Sequence, residues 1–309
     1  MKRLLRLLVL GLFLYGIWYV GSIAWDISGI FRDGDKDYEF VDGTGDMEQA
    51  PGVEVKTLSD SQFVADPLRI NILLIGVDSR PGSNRAPLSD TIMLLSLHTE
   101  TGDTVLISIP RDTYVKIPDR GYDKINHSHA FGGAALLRRV VSDFLDIPVD
   151  YYLRVDFQGF SAIVDMLGGV DIYVDRDMPE YNLWQGQQTL TGQQALMFVR
   201  NRNEPRGDFA RMERQQRFLL QVMEQVQSQS FLEIVPLIQE GVQYVDTNMP
   251  LFTLLAVARE YWELEPETTT KYVISGRAFY HKNIYYLEPL YDAATKFLNN
   301  NLRVPREDE

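Results

Sequence analysis

Six arginines, Arg200, Arg202, Arg206, Arg211, Arg214 and Arg217, fall within eighteen residues of "RNRNEPRGDFARMERQQRF", in a chain whose formal net charge is −13. A guanidinium is a planar fork that grips carboxylate or phosphate oxygens in pairs, and it keeps its charge when partly buried. The spacing sorts the six. Asp208 is a suitable N-cap for a helix "FARMERQQRFLLQVMEQV". On that helix Arg211 and Gln215 share one face, and Phe218 and Val222 continue it into a core. Two polar side chains then face inward near a helix N-terminus, where amide groups and the dipole favour an anion. Glu213 and Arg217 are spaced as an i,i+4 pair, and Arg206 reads as a solvated loop residue. Arg200 and Arg202 leave the preceding helix as alternating residues of an extended exit, either aimed together at an anion or satisfying the helix C-terminus.

Carboxylates supply the complementary chemistry. In "GVDSR", Asp78 and Arg80 directly follow an apolar strand, and in "LSDTIM" Asp90 directly precedes the next. If those strands are neighbours, Asp78 and Asp90 converge at one sheet edge. Two carboxylates with few other donors suit a magnesium ion that keeps waters and takes phosphate oxygens; the alternative for each is a turn-capping role. Arg111 and Asp112 follow another strand in "IPRD", as part of the site or as a local ion pair. "YDKINHSHA" gathers Lys124, Asn126, His127 and His129 before a helix. It offers no third ligand for zinc, and its histidines read as exposed residues of a capped loop.

The elements that must position these residues are legible as patterns. "INILLIGV", "TIMLLSL" and "TVLISI" are β-branched apolar runs of buried strands. "ETGD" joins the last two as a tight antiparallel turn. Helices are expected over Gly132–Asp146, over Gln158–Leu167, from Thr191, from Asp208 toward Gln227, after an Asn248 cap, and over Leu287–Asn299. "DYYLRVDF", "GVDIYV" and "KYVISG" read as further strands. Strands and helices intermix, which predicts a mixed central sheet between helical layers, an α/β/α domain over residues 67–303 with a short tail at 304–309.

The 309 residues contain no cysteine, which excludes disulfides, thiolate zinc sites and a cysteine nucleophile. Basic residues 1–6 precede "LLVLGLFLYGIWYVGSIAW", residues 7–25, an uncharged stretch long enough to cross a hydrocarbon core. Asp26 follows it. This charge placement predicts a single-pass anchor with a cytoplasmic N-terminus and an extracytoplasmic body; the rival is a cleaved signal peptide. Residues 26–66 read as an acidic tether, with ten acidic residues and two lysines between Asp33 and Asp66. Most of the negative charge therefore belongs to the tether. No basic groove-reading helix is evident, which disfavours nucleic acid as a partner.

Taken in order, "ILLIGVDSR", "LSDTIML", "LISIPRD", "KINHSHAFGG", "VDFQGFSAIVDMLGGVDI", "LTGQQALMFVRNR" and "GDFARMERQQ" resemble the LytR-CpsA-Psr family over about Ile70 to Gln227. "HSHA" departs from that pattern, where smaller residues are more usual. The resemblance implies an α/β/α sandwich. It also implies transfer of a glycan from a polyprenyl pyrophosphate carrier onto peptidoglycan through a phosphodiester. Asp78 and Asp90 then match magnesium ligands, and Arg111, Arg200, Arg202 and Gln215 match pyrophosphate contacts, with Arg80 nearby. Asp208 and Arg211 match a further part of the motif. Arg111, Asp112, Asp208 and Arg211 are the candidate catalytic residues, with Asp112 or Asp208 as the acceptor's base. Apolar helices "FSAIVDML" and "LFTLLAVA" are candidates to line a slot for the lipid. The alternatives are a pyrophosphatase with the same site and water as acceptor, and a non-enzymatic cell-wall binding or regulatory protein.

Overall fold

The computed structural model describes residues 48–79, 86–262 and 266–306. The candidate anchor and Arg80 lie outside the described residues. Six strands form the central sheet: β1 (Arg69–Val77), β2 (Ser89–His98), β3 (Thr104–Ser108), β4 (Tyr151–Asp156), β5 (Asp246–Thr247) and β6 (Thr270–Val273). Their order is β5-β4-β1-β2-β3-β6. β2 is antiparallel to β1 and β3, β5 is antiparallel to β4, and β4 and β6 run parallel to β1 and β3 respectively, so the sheet is mixed as expected. The β2–β3 turn closes through Gly102, at φ 75°, with its N–H donating to the His98 carbonyl at 3.0 Å.

Seven helices are described: α1 (His127–Leu145), α2 (Phe157–Met166), α3 (Gly192–Arg200), α4 (Asp208–Gln227), α5 (Phe231–Gly241), α6 (Leu251–Glu260) and α7 (Tyr291–Asn301). Alternation along β1 explains the layering. Leu73, Ile75 and Val77 face a core shared with Leu137, Val141 and Phe144 of α1 and Leu298 of α7. Ile72 and Leu74 face the opposite side, against Leu254 and Val257 of α6. Because both sheet faces are covered, the strand reads as a continuous apolar run. Each fully buried Leu or Ile contributes about 1.5–3 kcal/mol.

Several local expectations shift. α1 starts at His127 and breaks at Gly132–Gly133, where Gly133 takes φ 63°. The N-cap of α4 is Gly207, at φ 51° and ψ −118°, and Asp208 is its first helical residue. Asn248 does not cap α6; it accepts the Tyr152 N–H at 2.8 Å and so ties α6's approach to β4. Leu287 belongs to a hairpin of Gly276–His281 with Ile284–Pro289, and α7 begins only at Tyr291.

The folded body also extends beyond residues 67 and 303. Leu58 is fully buried in the main core, and its N–H donates to Phe144 at 2.8 Å. Phe63–Ala65 pairs antiparallel with Arg303–Pro305. Residues 48–66, expected as tether, are thus part of the domain. Their apolar side chains are buried singly, without the periodicity that marks an element.

Candidate active site

The carboxylates come first. β1 and β2 are neighbours, and their register slips at the top: Gly76 pairs with Thr91 but Val77 pairs with Ser89. Asp90 is the extra residue of this bulge, a device that re-aims a side chain at a sheet edge. Asp78 leaves β1 beside it, its N–H donating to the Leu88 carbonyl at 3.4 Å. Asp78 and Asp90 line one cavity, so the expected convergence occurs.

Arg111 leaves β3 on the same edge. Its guanidinium donates to Asp90 Oδ1 and stands 3.7 Å from Asp112. Burial pulls the Arg111 pKa down, but the charge of Asp90 and its hydrogen bond outweigh that, helped by Asp208 and Asp112, and the net shift is upward. Arg111 is therefore a fixed cation. Asp112 is a partner of Lys124 Nζ at 2.7 Å, and it does not line the cavity.

The second wall comes from α3, α4 and the loop between them. Thr191 caps α3 in a reciprocal box with Gln194. Gly192 lets α3 touch α2: a Cβ there would lie 2.1 Å from the Ser161 carbonyl. From the end of α3, Arg200 reaches to 4.0 Å from Asp78 and lies over the Phe157 ring at 4.0 Å. Arg202 reaches to 3.5 Å from Asp208. Arg211 and Gln215 face inward as expected, each nearly fully buried. Arg211 Nη2 donates to the Asp90 carbonyl at 3.1 Å and pairs with Asp208 at 2.9 Å. Its Nε is buried without a hydrogen-bond partner among the described residues. Burial lowers the Arg211 pKa to about 10, opposed by Asp208 and assisted by Arg202 and Arg111. It remains cationic at neutral pH. Gln215 Nε2 donates to the Val199 carbonyl at 3.2 Å, fastening α4 to α3.

Between these walls lies a cavity of about 660 Å³. Arg111, Arg200, Arg202 and Arg211, with Asp78 and Asp90, form its polar part. Phe160 and Ile163 of α2 with Leu167 just beyond it, and Phe218, Leu219 and Val222 of α4, form much of its apolar part. The expected lining by "FSAIVDML" is present. "LFTLLAVA" does not line the cavity; its Leu254 and Val257 pack under the sheet.

Other expectations are corrected. Glu213 pairs with Arg206, at 2.7 Å, and Arg217 pairs with Asp175, at 2.6 Å, because the chain's turn before α4 brings Arg206 closer. His127 is partly exposed and sits 2.6 Å from the Asp123 carboxylate, but His129 is buried, with its Nδ1 at 2.8 Å from the Pro87 carbonyl. Asp208 stands outside the cavity wall and reaches the site through Arg202 and Arg211. Among the described residues no group of three or more His, Cys, Asp or Glu side chains is placed to hold a metal. Asp78 and Asp90 are a two-carboxylate oxygen donor set, which fits a hard cation that retains waters.

Two contributors are not among the expected site residues. Arg214, buried, donates to the carbonyls of Asn201 at 2.7 Å and Phe198 at 3.4 Å and pairs with Glu204, holding the Arg200–Arg202 segment in place. Its helical phase beside Arg211 was the only hint. Asp156 caps α2 through Gly159 and accepts from Ser79 Oγ at 2.9 Å, tying the Asp78 loop to α2.

Four arginines and two carboxylates at one part of a cavity with apolar walls, set in an α/β/α sandwich, make the site amphiphilic. The LytR_cpsA_psr family model matches residues 42–303, and the chain belongs to that family. It is 36% identical over 243 residues to the polyisoprenyl-teichoic acid–peptidoglycan teichoic acid transferase TagU of Bacillus cereus AH820, covering 76% of this chain and 78% of the relative. Its structure resembles the crystal structure of Bacillus subtilis TagV, with TM-score 0.68 and 28% identity over 77% of this chain and 98% of the other. It also resembles TagT bound to LIIa-WTA, with TM-score 0.65 and 27% identity over 83% of this chain and 99% of the other.

Proposed function

We propose that this protein transfers a glycopolymer, teichoic acid in its named relatives, from a polyprenyl pyrophosphate carrier to peptidoglycan through a phosphodiester bond. The observation that carries the reading is one continuous cavity with four arginines at its polar part and apolar walls from α2 and α4. The prenyl chain is solvated by those walls, and the diphosphate lies among the arginines. An acceptor hydroxyl oxygen bonds to the glycan-bearing phosphorus, and the bond from that phosphorus to the polyprenyl phosphate oxygen breaks. The hydroxyl proton passes to a carboxylate paired with the site's arginines, Asp112 beside Arg111 or Asp208 beside Arg202. Such a transfer needs in-line placement and neutralised oxygens rather than a protein nucleophile. Arg111, Arg200, Arg202 and Arg211 supply the donors for that purpose. Asp78 and Asp90 would hold a magnesium ion, which would neutralise diphosphate oxygens when bound.

Residues 7–25 would anchor the chain in the bacterial membrane with the body outside; proteolysis of spheroplasts should remove the body. Water in place of the acceptor would make the same site a pyrophosphatase. Detergent-solubilised full-length protein with a polyprenyl pyrophosphate glycan and a peptidoglycan acceptor tests the choice. Acceptor-linked phosphodiester together with polyprenyl phosphate is the expected product. Free glycan phosphate alone, with acceptor present, would replace this reading by the hydrolytic one.

A further inference from the structure

The hairpin of Gly276–His281 and Ile284–Pro289 is an element the pyrophosphate site does not use. Its turn residues Lys282 and Asn283 have φ 49° and 62°, the left-handed pair that makes a tight, right-twisted hairpin. One face is locked. Phe279 and Tyr286 stack at 5.5 Å and both pack edge-on to the fully buried Tyr114, whose hydroxyl accepts the Ala50 N–H at 2.8 Å. The other face presents Tyr280 and Tyr285 directly opposite each other, 74% and 37% exposed, with ring centroids 5.8 Å apart.

The hairpin is joined to the segment that follows β3 and carries Arg111 and Asp112, through a bridge between Thr113 and Leu287. Lys124 Nζ lies 5.7 Å from the Tyr286 ring centroid, 6.0 Å from that of Tyr285 and 2.7 Å from Asp112. The strand is pinned there by the Leu287 N–H, which donates to the Asp112 carbonyl at 2.9 Å. Burial first, then the negative charges of Asp112 and Asp208, raise the Tyr285 pKa. Exposed tyrosines on a rigid strand pair, beside hydrogen-bonding ionic groups, are the chemistry that binds pyranose rings. Aromatic faces cover the apolar C–H face of a sugar, while the polar groups meet its hydroxyls.

We propose that Tyr280 and Tyr285 form the docking platform for the acceptor glycan strand, delivering its hydroxyl toward Asp112 and Asp208. The inference rests on the transferase reading above. The acceptor rather than the donor glycan is assigned because the lipid phosphate leaves toward the apolar cavity. In-line attack therefore requires the nucleophile on the side away from the apolar walls, and Asp112 and Asp208, outside those walls, are the carboxylates that would meet it, with this hairpin joined to Asp112.

The test uses full-length protein in detergent with Tyr280→Ala, Tyr285→Ala, the double variant and the Tyr→Phe pair. A soluble oligomer of the peptidoglycan glycan strand is titrated with observation of the tyrosine ring resonances, independently of turnover. Transfer kinetics are measured against acceptor and donor separately. The expected result is perturbation of the Tyr280 and Tyr285 rings by the oligomer. In the double Ala variant the acceptor KM rises about tenfold or more with kcat changed by less than about threefold, and the Phe pair is close to wild type, because a ring face is what binds. An unchanged acceptor KM, or a rise confined to the donor KM, overturns the proposal. Ring perturbation in a protein that yields only glycan phosphate would keep the platform and remove the transferase reading instead.

Discussion

Replacing Arg200 and Arg202 by lysine, singly, keeps the charge at the mouth and removes the fork. Both side chains are roughly two-fifths exposed, and each stands near a carboxylate, Asp78 at 4.0 Å and Asp208 at 3.5 Å, at the long end of ion pairing. Such loose, half-solvated pairs are worth about 0–1 kcal/mol to the fold, so neither change should move Tm by more than a few degrees. If the two arginines clamp diphosphate oxygens, each substitution removes a preorganised bidentate donor, costing about 2–4 kcal/mol of transition-state stabilisation. That is roughly 30- to 1000-fold in kcat/KM. The same segment contains its own controls. Arg206 pairs with Glu213 and Arg217 with Asp175, all four side chains largely exposed and none lining the cavity. Arg206→Lys and Arg217→Lys should lose less than about threefold, since an exposed pair contributes little. Turnover on a polyprenyl pyrophosphate glycan would be compared for the four variants, with melting as the folding control. Equal small losses in all four would mean that Arg200 and Arg202 are ordinary surface cations and that the site reasoning is wrong.

Asp78→Ala and Asp90→Ala should each abolish magnesium-stimulated turnover while the protein stays folded by circular dichroism; wild-type activity of both in excess chelator would remove the metal from the site. Gly192→Ala should destabilise the protein by about 1–3 kcal/mol or more in urea melts, because its Cβ would sit 2.1 Å from a backbone carbonyl of α2 that cannot swing away. Burial holds the His129 pKa down, at about 4, with Arg154 lowering it and the Pro87 hydrogen bond and Asp246 raising it. The unfolded histidine titrates near about 6.5, so the native state binds fewer protons between those values. Stability from this neutral histidine is complete above about pH 6.5 and falls as pH drops toward 4, by on the order of 3 kcal/mol. His129→Gln should flatten that part of the pH–stability curve, and an unaltered slope would refute the assignment.

The gathering of the candidate site residues was legible because it is written in residue types next to element ends. Asp78 and Asp90 flank strands whose β-branched runs announce a sheet, and Arg211, Gln215, Phe218 and Val222 share a phase that only an inward helix face explains. Local alternation and helical periodicity are properties of a few consecutive residues, so they survive without knowledge of the rest. What the sequence could not specify were choices made between distant segments. The α4 N-cap passed from Asp208 to Gly207 because Arg202 and Arg211 both reach for the Asp208 carboxylate. Glu213 took Arg206 rather than Arg217 because a loop brought one cation nearer. Residues 48–66 read as tether because their burial partners, Phe144, Tyr114 and Arg303, lie far along the chain. The bulge that aims Asp90 exists only as a mismatch of register between two strands. Composition and period determine which elements form and which face is apolar; which ends meet, and which of several similar charges pair there, is decided by tertiary packing, where small differences in distance and burial outweigh any local preference.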